Sequence, residues 1–290
     1  MAEALTNYYF AKDLITSIQD KYKELGNITD AKIFLYSNFF DIGYYYRLSS
    51  FFKRDPYKLN KAIHNGKMKD MIKEAIIYTR ENGFDKDNVC FIYAMVAHYV
   101  LDMYTLPFIV SFPSDSPQKL MREIDYMLAY QKENIELGKI NIVKKFRGAF
   151  LFNFSDFDLI EAMCSKNLYV SRSYEYYKTA LQCYKHFLLY TSKDFLHIKS
   201  FFYKLNDKTI NKNNDIKTLY FIYPKNFDYT KDYLNTKNEL WHNKIANEDS
   251  TKSFTDLYNE ALVAGNDYMQ AALDYLFLGK DKNFNKLFVK

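Results

Sequence analysis

The stretch VCFIYAMVAHYVLDMYTLP, from Val89 to Pro107, constrains this chain more than any other. From Val89 to Tyr104 every residue except His98 and Asp102 is apolar or aromatic. A helix written this way has no polar face and belongs inside a protein; the run is too short and too interrupted to read as a membrane span. His98 and Asp102 stand one helical turn apart, so their side chains leave the same face. Burying both is unfavourable unless each finds a strong partner. Either they bond to each other or to backbone, or they share a cation, since an imidazole nitrogen and a carboxylate one turn apart can reach one ion.

The chain of 290 residues can bury a substantial core. Its 8 Gly and 5 Pro leave little turn chemistry for a many-stranded β protein, so an all-α architecture is expected. The 28 Tyr and 25 Phe predict an aromatic-rich core. The net charge of +5 is spread evenly, with 21 basic and 18 acidic residues in 1–150 and 19 and 17 in 151–290, which argues against a dedicated nucleic-acid domain. Cys90, Cys164 and Cys183 stand far apart in apolar patterns and read as reduced core thiols. The first twenty residues lack the basic start and continuous apolar stretch of a signal peptide, and the expected location is the cytoplasm. Contact with a membrane is expected to be peripheral at most.

Helical spacing predicts an amphipathic helix over Asn7–Leu25 with Gly26 as its stop, then an apolar segment from Thr29 that runs into Asp41. Asp41, between FLYSNFF and IGYYY, reads either as a helix cap or partner of Arg47, or as a ligand. A helix over Leu59–Asn82 closes at Gly83 and carries His64 near its start. After the central helix a Pro-containing segment, Pro107–Pro117, leads to a helix over Ser116–Leu137, where Arg122, Glu123 and Asp125 are read as solvated or locally paired. Two aromatic-rich helices are expected within Phe150–Tyr190, the longer from Tyr169, and His186 and His197 read as ordinary surface or core histidines. Residues 206–218 form an exposed loop, 218–223 a short strand or apolar helical turn, and Ser253–Leu278 a strong last helix with Ser253 and Asp256 as its cap. No repeat or linker forces a division, so residues 1–290 are read as a single helical domain, with 1–148 the metal-site half and 149–290 the aromatic-rich half.

Asp41, His64, His98 and Asp102 therefore lie on three segments, each in an apolar setting. Two imidazoles and two carboxylates form a chemically sensible shell for zinc or a similar divalent ion.

The lines FLYSNFFDIGYYYR, AIHNG and AHYVLDMYTLPFI, followed later by NELWHNK and SFTDLYNEA, resemble the zinc-dependent phospholipase C family and its small bacterial members. The family shares the all-helical phospholipase C/P1-nuclease fold and holds three metal ions in a cleft between helices. The resemblance implies that Asp41, His64, His98 and Asp102 together hold one of the three. Departures remove the others: Asn7 stands in place of a histidine, Leu106 in place of the His of a His-Pro pair, and Gln118 and Arg122 in place of a His-x-x-x-Glu pair. The free amino-terminal tryptophan of secreted members is also absent.

One complete metal shell and two dismantled ones leave two classes of function, beside a third in which the resemblance is accidental, the protein is an unrelated helical interaction protein and His98–Asp102 is a buried hydrogen bond. One is a mononuclear zinc-dependent hydrolase of phosphodiesters or phospholipid head groups, with Asp41 as the catalytic carboxylate and Arg122 replacing a lost metal by holding a phosphate oxygen. The other is a catalytically inactive helical binding or structural protein, in which the four residues form a structural metal site or a buried polar network.

Overall fold

A computed structural model describes residues 4–19, 28–46, 62–83, 85–150, 157–168, 173–191 and 227–289. They are mostly helical: α1 (Ala4–Gln19), α2 (Asp30–Ser37), α3 (Phe39–Ile42), α4 (Met68–Asn82), α5 (Lys86–Ser111), α6 (Pro117–Glu133), α7 (Ile142–Lys145), α8 (Phe157–Leu168), α9 (Ser173–Thr191), α10 (Phe254–Leu278) and α11 (Asp281–Phe284). One antiparallel hairpin, β1 (Trp241–Asn243) and β2 (Glu248–Ser250), interrupts them before α10. The segments 206–218 and 218–223, together with Gly26, Arg47 and His197, lie outside the described residues.

The rest is built around α5. It packs against α1, α2, α4, α6 and α10, which explains why its sequence lacks a polar face. By length and composition alone α5 could cross a membrane, but most of its apolar surface is buried inside the fold. The helix begins at the Asp85 cap and is longer than expected, because it passes through Pro107 to Ser111. Pro107 removes the N–H that would pair with the carbonyl of Met103. Met103 is itself exposed, on the side of α5 that borders an open cleft.

Local signals fixed several ends. Thr29 caps α2, Ser116 caps α6, and Ser253 with Asp256 forms a reciprocal capping box on α10. Gly83, with φ +86°, ends α4 where the pattern placed the stop. The paired helices within Phe150–Tyr190 are α8 and α9, and α9 sets Tyr177 against Phe39 of α3 with ring centroids 4.1 Å apart.

Two expectations require correction. Arg122, Glu123 and Asp125, read as solvated or locally paired, are all buried rather than solvated, and Glu123 has a local partner in Lys119 at 3.8 Å. The Asp125 carboxylate accepts hydrogen bonds from the N–H of Leu5 at 3.1 Å and from the N–H and hydroxyl of Thr6, both at 2.6 Å. It thereby satisfies donors that the first turn of α1 leaves without intrahelical partners, and its charge favours the positive end of that helix. The second correction is the hairpin, which lies in a region expected to be helical. Its strands are only three residues long, too short to leave an alternating pattern.

Candidate metal centre

Asp41 sits on α3, a single turn created by a break after α2. Asn38 makes that break: with φ −99° and ψ 3° it leaves the helical path, and its amide donates to the carbonyls of Phe34 and Ala4. The chain then resumes with Phe39 and Phe40 buried and Asp41 directed toward α5. His64 is held in a wide turn, Ile63–Lys67, that precedes α4. Gly66 in that turn has φ +116°, a conformation side-chain-bearing residues rarely adopt, and this reversal separates His64 from the regular helix that the pattern predicted. His98 and Asp102 project from the middle of α5 as their spacing requires.

The four side chains converge. His64 Nε2 is 3.0 Å from Asp41 Oδ1, and His64 Nδ1 is 3.4 Å from Asp102 Oδ2. His98 Nε2 is 3.8 Å from Asp41 Oδ2 and 3.5 Å from Asp102 Oδ2. The two separations from Asp41, 3.0 Å to His64 Nε2 and 3.8 Å to His98 Nε2, bracket the roughly 3.3 Å edge of a tetrahedron whose arms are about 2.0 Å long, the usual length of a zinc–nitrogen or zinc–carboxylate bond. Nevertheless Asp41 Oδ1, His64 Nε2 and His98 Nε2 are buried and satisfy no hydrogen bond among the described residues. His64 and Asp41 form a close ion pair when the ring is protonated, but none of the three atoms makes an aligned hydrogen bond, and all three face shared space sealed from solvent. Donor chemistry and geometry therefore both fit a divalent ion held by Asp41, His64 and His98.

The surrounding bonds fix that orientation. His98 Nδ1 lies 2.7 Å from the carbonyl of Ser37, so Nδ1–H donates there and Nε2 keeps its lone pair. Tyr44 stacks on His64, with ring centroids 5.4 Å apart. Asn7 donates to Asp41 Oδ2 at 3.2 Å, and Asp41 is thereby steered from both sides. With His64 Nε2 facing Asp41, its Nδ1–H faces Asp102. Asp102 is then placed to orient the imidazole from outside the donor triad, an arrangement in which a carboxylate fixes a metal-binding histidine.

In the metal-free protein the two imidazoles hold their protons tightly. Burial alone would lower the pKa of His64, but the carboxylates of Asp102 and Asp41 outweigh it and push the group up to about 9. His98 is also raised, burial again opposing and Asp41 and Asp102 prevailing. Burial raises Asp102, and cationic neighbours including His98 and His64 more than reverse it, so its carboxyl lies well below the usual carboxylate range.

A cleft of about 560 Å³ opens beside the cluster. His64 and Asp102 reach it from the centre, and Tyr44, Met103, Leu106, Met121 and Ile245 give it largely apolar walls. Gln118 and Leu106 both line this cleft. Neither Asp41 nor Arg122 does. Arg122 is buried on α6, where its charge acts on Glu123, Tyr126 and Tyr233. His242 is exposed on β1 beside Asp249, and His186 is exposed on α9; neither joins the cluster. Cys90 and Cys164 are buried and free, whereas Cys183 is half-buried.

The wall residue Ile245 was missed because the hairpin that carries it was missed; Asn243 and Asn247, which shape its turn, were the available signal. No protein-family profile, curated protein or solved structure matches the chain.

Proposed function

We propose that the chain is a mononuclear, zinc-type metalloprotein and that its activity is phospholipase C-like hydrolysis of a phosphodiester. The carrying observation is the trio of buried, unsatisfied atoms, Asp41 Oδ1, His64 Nε2 and His98 Nε2, beside an open cleft. Three protein ligands leave a tetrahedral ion one position short, the pattern of catalytic rather than structural zinc sites. A bound divalent ion supplies Lewis acidity toward a phosphoryl oxygen and lowers the pKa of water.

The chain's own residues supply the rest. His98 is locked by the Ser37 carbonyl, and His64 by the Tyr44 ring and Asp102. Asp102 is the carboxylate that reaches the cleft, where it stays ionised and holds the His64 ring in place. The phosphate-holding role expected of Arg122 has no support from its position outside the cleft wall. The apolar walls suit a substrate whose phosphodiester is attached to an apolar body, as in a phospholipid.

A second reading, a structural metal site in a helical binding protein, is favoured by the full burial of His98 and the absence of Asp41 from the cleft. The deciding experiment uses protein purified without a metal-binding tag, its metal measured by mass spectrometry and its turnover by bis(p-nitrophenyl) phosphate and p-nitrophenyl phosphorylcholine. The hydrolase reading requires about one zinc per chain and turnover that both vanish in His98→Ala. Bound zinc with no turnover of either compound establishes the structural reading instead.

A further inference from the structure

The β1–β2 hairpin contributes one residue to the cleft, Ile245, and the way the turn is built makes that contribution specific. Trp241 anchors the hairpin: its ring is buried edge-on against Phe108 of α5, and its indole N–H donates to the carbonyl of Lys252. The turn is closed by its own side chain. Asn243 Oδ1 accepts from the N–H groups of Ile245 at 3.0 Å and Ala246 at 3.1 Å, while Asn247 takes the left-handed conformation and donates its N–H to the Asn243 carbonyl at 2.8 Å.

The turn is also attached to the end of α5. The N–H of Lys244 donates to Ser111 Oγ at 2.9 Å, and its ammonium reaches the Val110 carbonyl at 3.4 Å. That carbonyl belongs to the last turn of α5, where acceptors lack intrahelical partners and a cation is favourable. The same helix carries His98 and Asp102, so the hairpin tip and the metal centre share one rigid support.

Ile245 nevertheless remains 59% exposed. A branched aliphatic side chain is thus fixed at the rim of the cleft, by a turn with both internal and tertiary bonds, without being covered by the protein itself. We propose that Ile245 is a specificity-determining residue: it forms the outer wall of the cleft and selects ligands that extend an aliphatic chain away from the group bound to the ion that His64 would hold. This rests on the metal-centre reading, since the metal-bound group sets the inner end of the ligand.

The test is calorimetric titration of the zinc-loaded protein with methylphosphonate and octylphosphonate. Wild type binds octylphosphonate more tightly. Ile245→Ala lowers octylphosphonate affinity about tenfold, the effect of losing a small amount of apolar wall, while methylphosphonate affinity is unchanged and Ile245→Leu restores the longer ligand. Equal affinities of wild type and Ile245→Ala for octylphosphonate, or an equal loss for both ligands, overturns the proposal while leaving the metal centre intact. Failure of zinc-bearing wild type to bind either phosphonate overturns the proposal with the phosphodiester reading, and absence of zinc overturns it with the metal centre itself.

Discussion

His64 Nε2 stands 3.0 Å from Asp41 Oδ1, both are buried, and neither atom satisfies a hydrogen bond among the described residues. In the metal-free protein a proton on His64 makes this an ion pair, and a divalent ion would take that proton's place between the two atoms. Removing one of the ion's ligands then removes the site. His98→Ala, Asp41→Ala and His64→Ala are each expected to lose bound zinc when dialysed against a weak chelator, whereas exposed His242→Ala keeps it. Metal content by mass spectrometry checks this, and retention in His98→Ala excludes the site.

Protons and metal compete for the same lone pairs. His64 in the metal-free fold has a pKa of about 9 against an ordinary 6.5, so its protonated form is favoured by folding. The sign follows directly: this stabilisation is complete below about pH 6.5 and is lost as pH rises through about 9. Ligation needs the neutral ring, so zinc binding releases a proton and tightens over the same interval. The Tm of the chelated protein is expected to fall across that window while the gain in Tm from buffered zinc grows. Parallel thermal melts with and without zinc measure both, and a zinc-induced gain independent of pH would mean that His64 is not displaced from its proton.

Much of this was legible in the residues, and the illegible parts share a cause. The all-apolar sides of α5 announced burial, the Ser253 and Asp256 pair announced the start of α10, and the types and settings of Asp41, His64, His98 and Asp102 only suggested a shared site, which the family resemblance then singled out. Local patterns carry those signals. Asp125 capping α1, some 120 positions earlier in the chain, is a tertiary contact with no local trace. The path of α5 through Pro107 to Ser111 runs against a local helix-breaking signal. The distinction between Asp102 as a ligand and as an outer support depends on which nitrogen of His64 faces it, a consequence of the turn around Gly66.

The Asp125 contact should be costly to disturb. Asn at this position presents an amide N–H₂ to donors that need an acceptor, with no solvent to compensate. Asp125→Asn is expected to lower unfolding free energy by about 3 kcal/mol, as for a buried charged hydrogen-bonding group left unsatisfied. Urea denaturation measures it, and a loss below about 0.5 kcal/mol would show that the first turn of α1 does not depend on this carboxylate.

Gly66 and Gly83 offer a matched comparison. Both have positive φ, and a methyl group at either meets no atom within 4 Å, so substitution with alanine costs only backbone conformation, about 1–3 kcal/mol. Both variants should lose similar stability. Only Gly66→Ala alters the turn that presents His64, so it alone should weaken zinc affinity. Competition against a fluorescent zinc chelator separates the two effects, and equal zinc affinities would detach the Gly66 turn from the metal centre.

Asp102 distinguishes an outer support from a direct ligand. Its Oδ2 lies 3.4 Å from His64 Nδ1, on the opposite edge of the ring from Nε2 and Asp41. An asparagine carbonyl at this position still accepts from Nδ1–H, but it lacks the charge that raises the basicity of the histidine. Asp102→Asn is therefore expected to retain one zinc per chain with affinity weaker by about 10- to 100-fold, the usual loss when an outer carboxylate is neutralised. Asp41→Asn, by contrast, removes an anionic donor from the ion itself and should leave the protein without zinc in the same competition assay. If Asp102→Asn is as empty as Asp41→Asn, Asp102 completes a four-residue shell. The open coordination position is then lost, and hydrolysis gives way to a structural metal site.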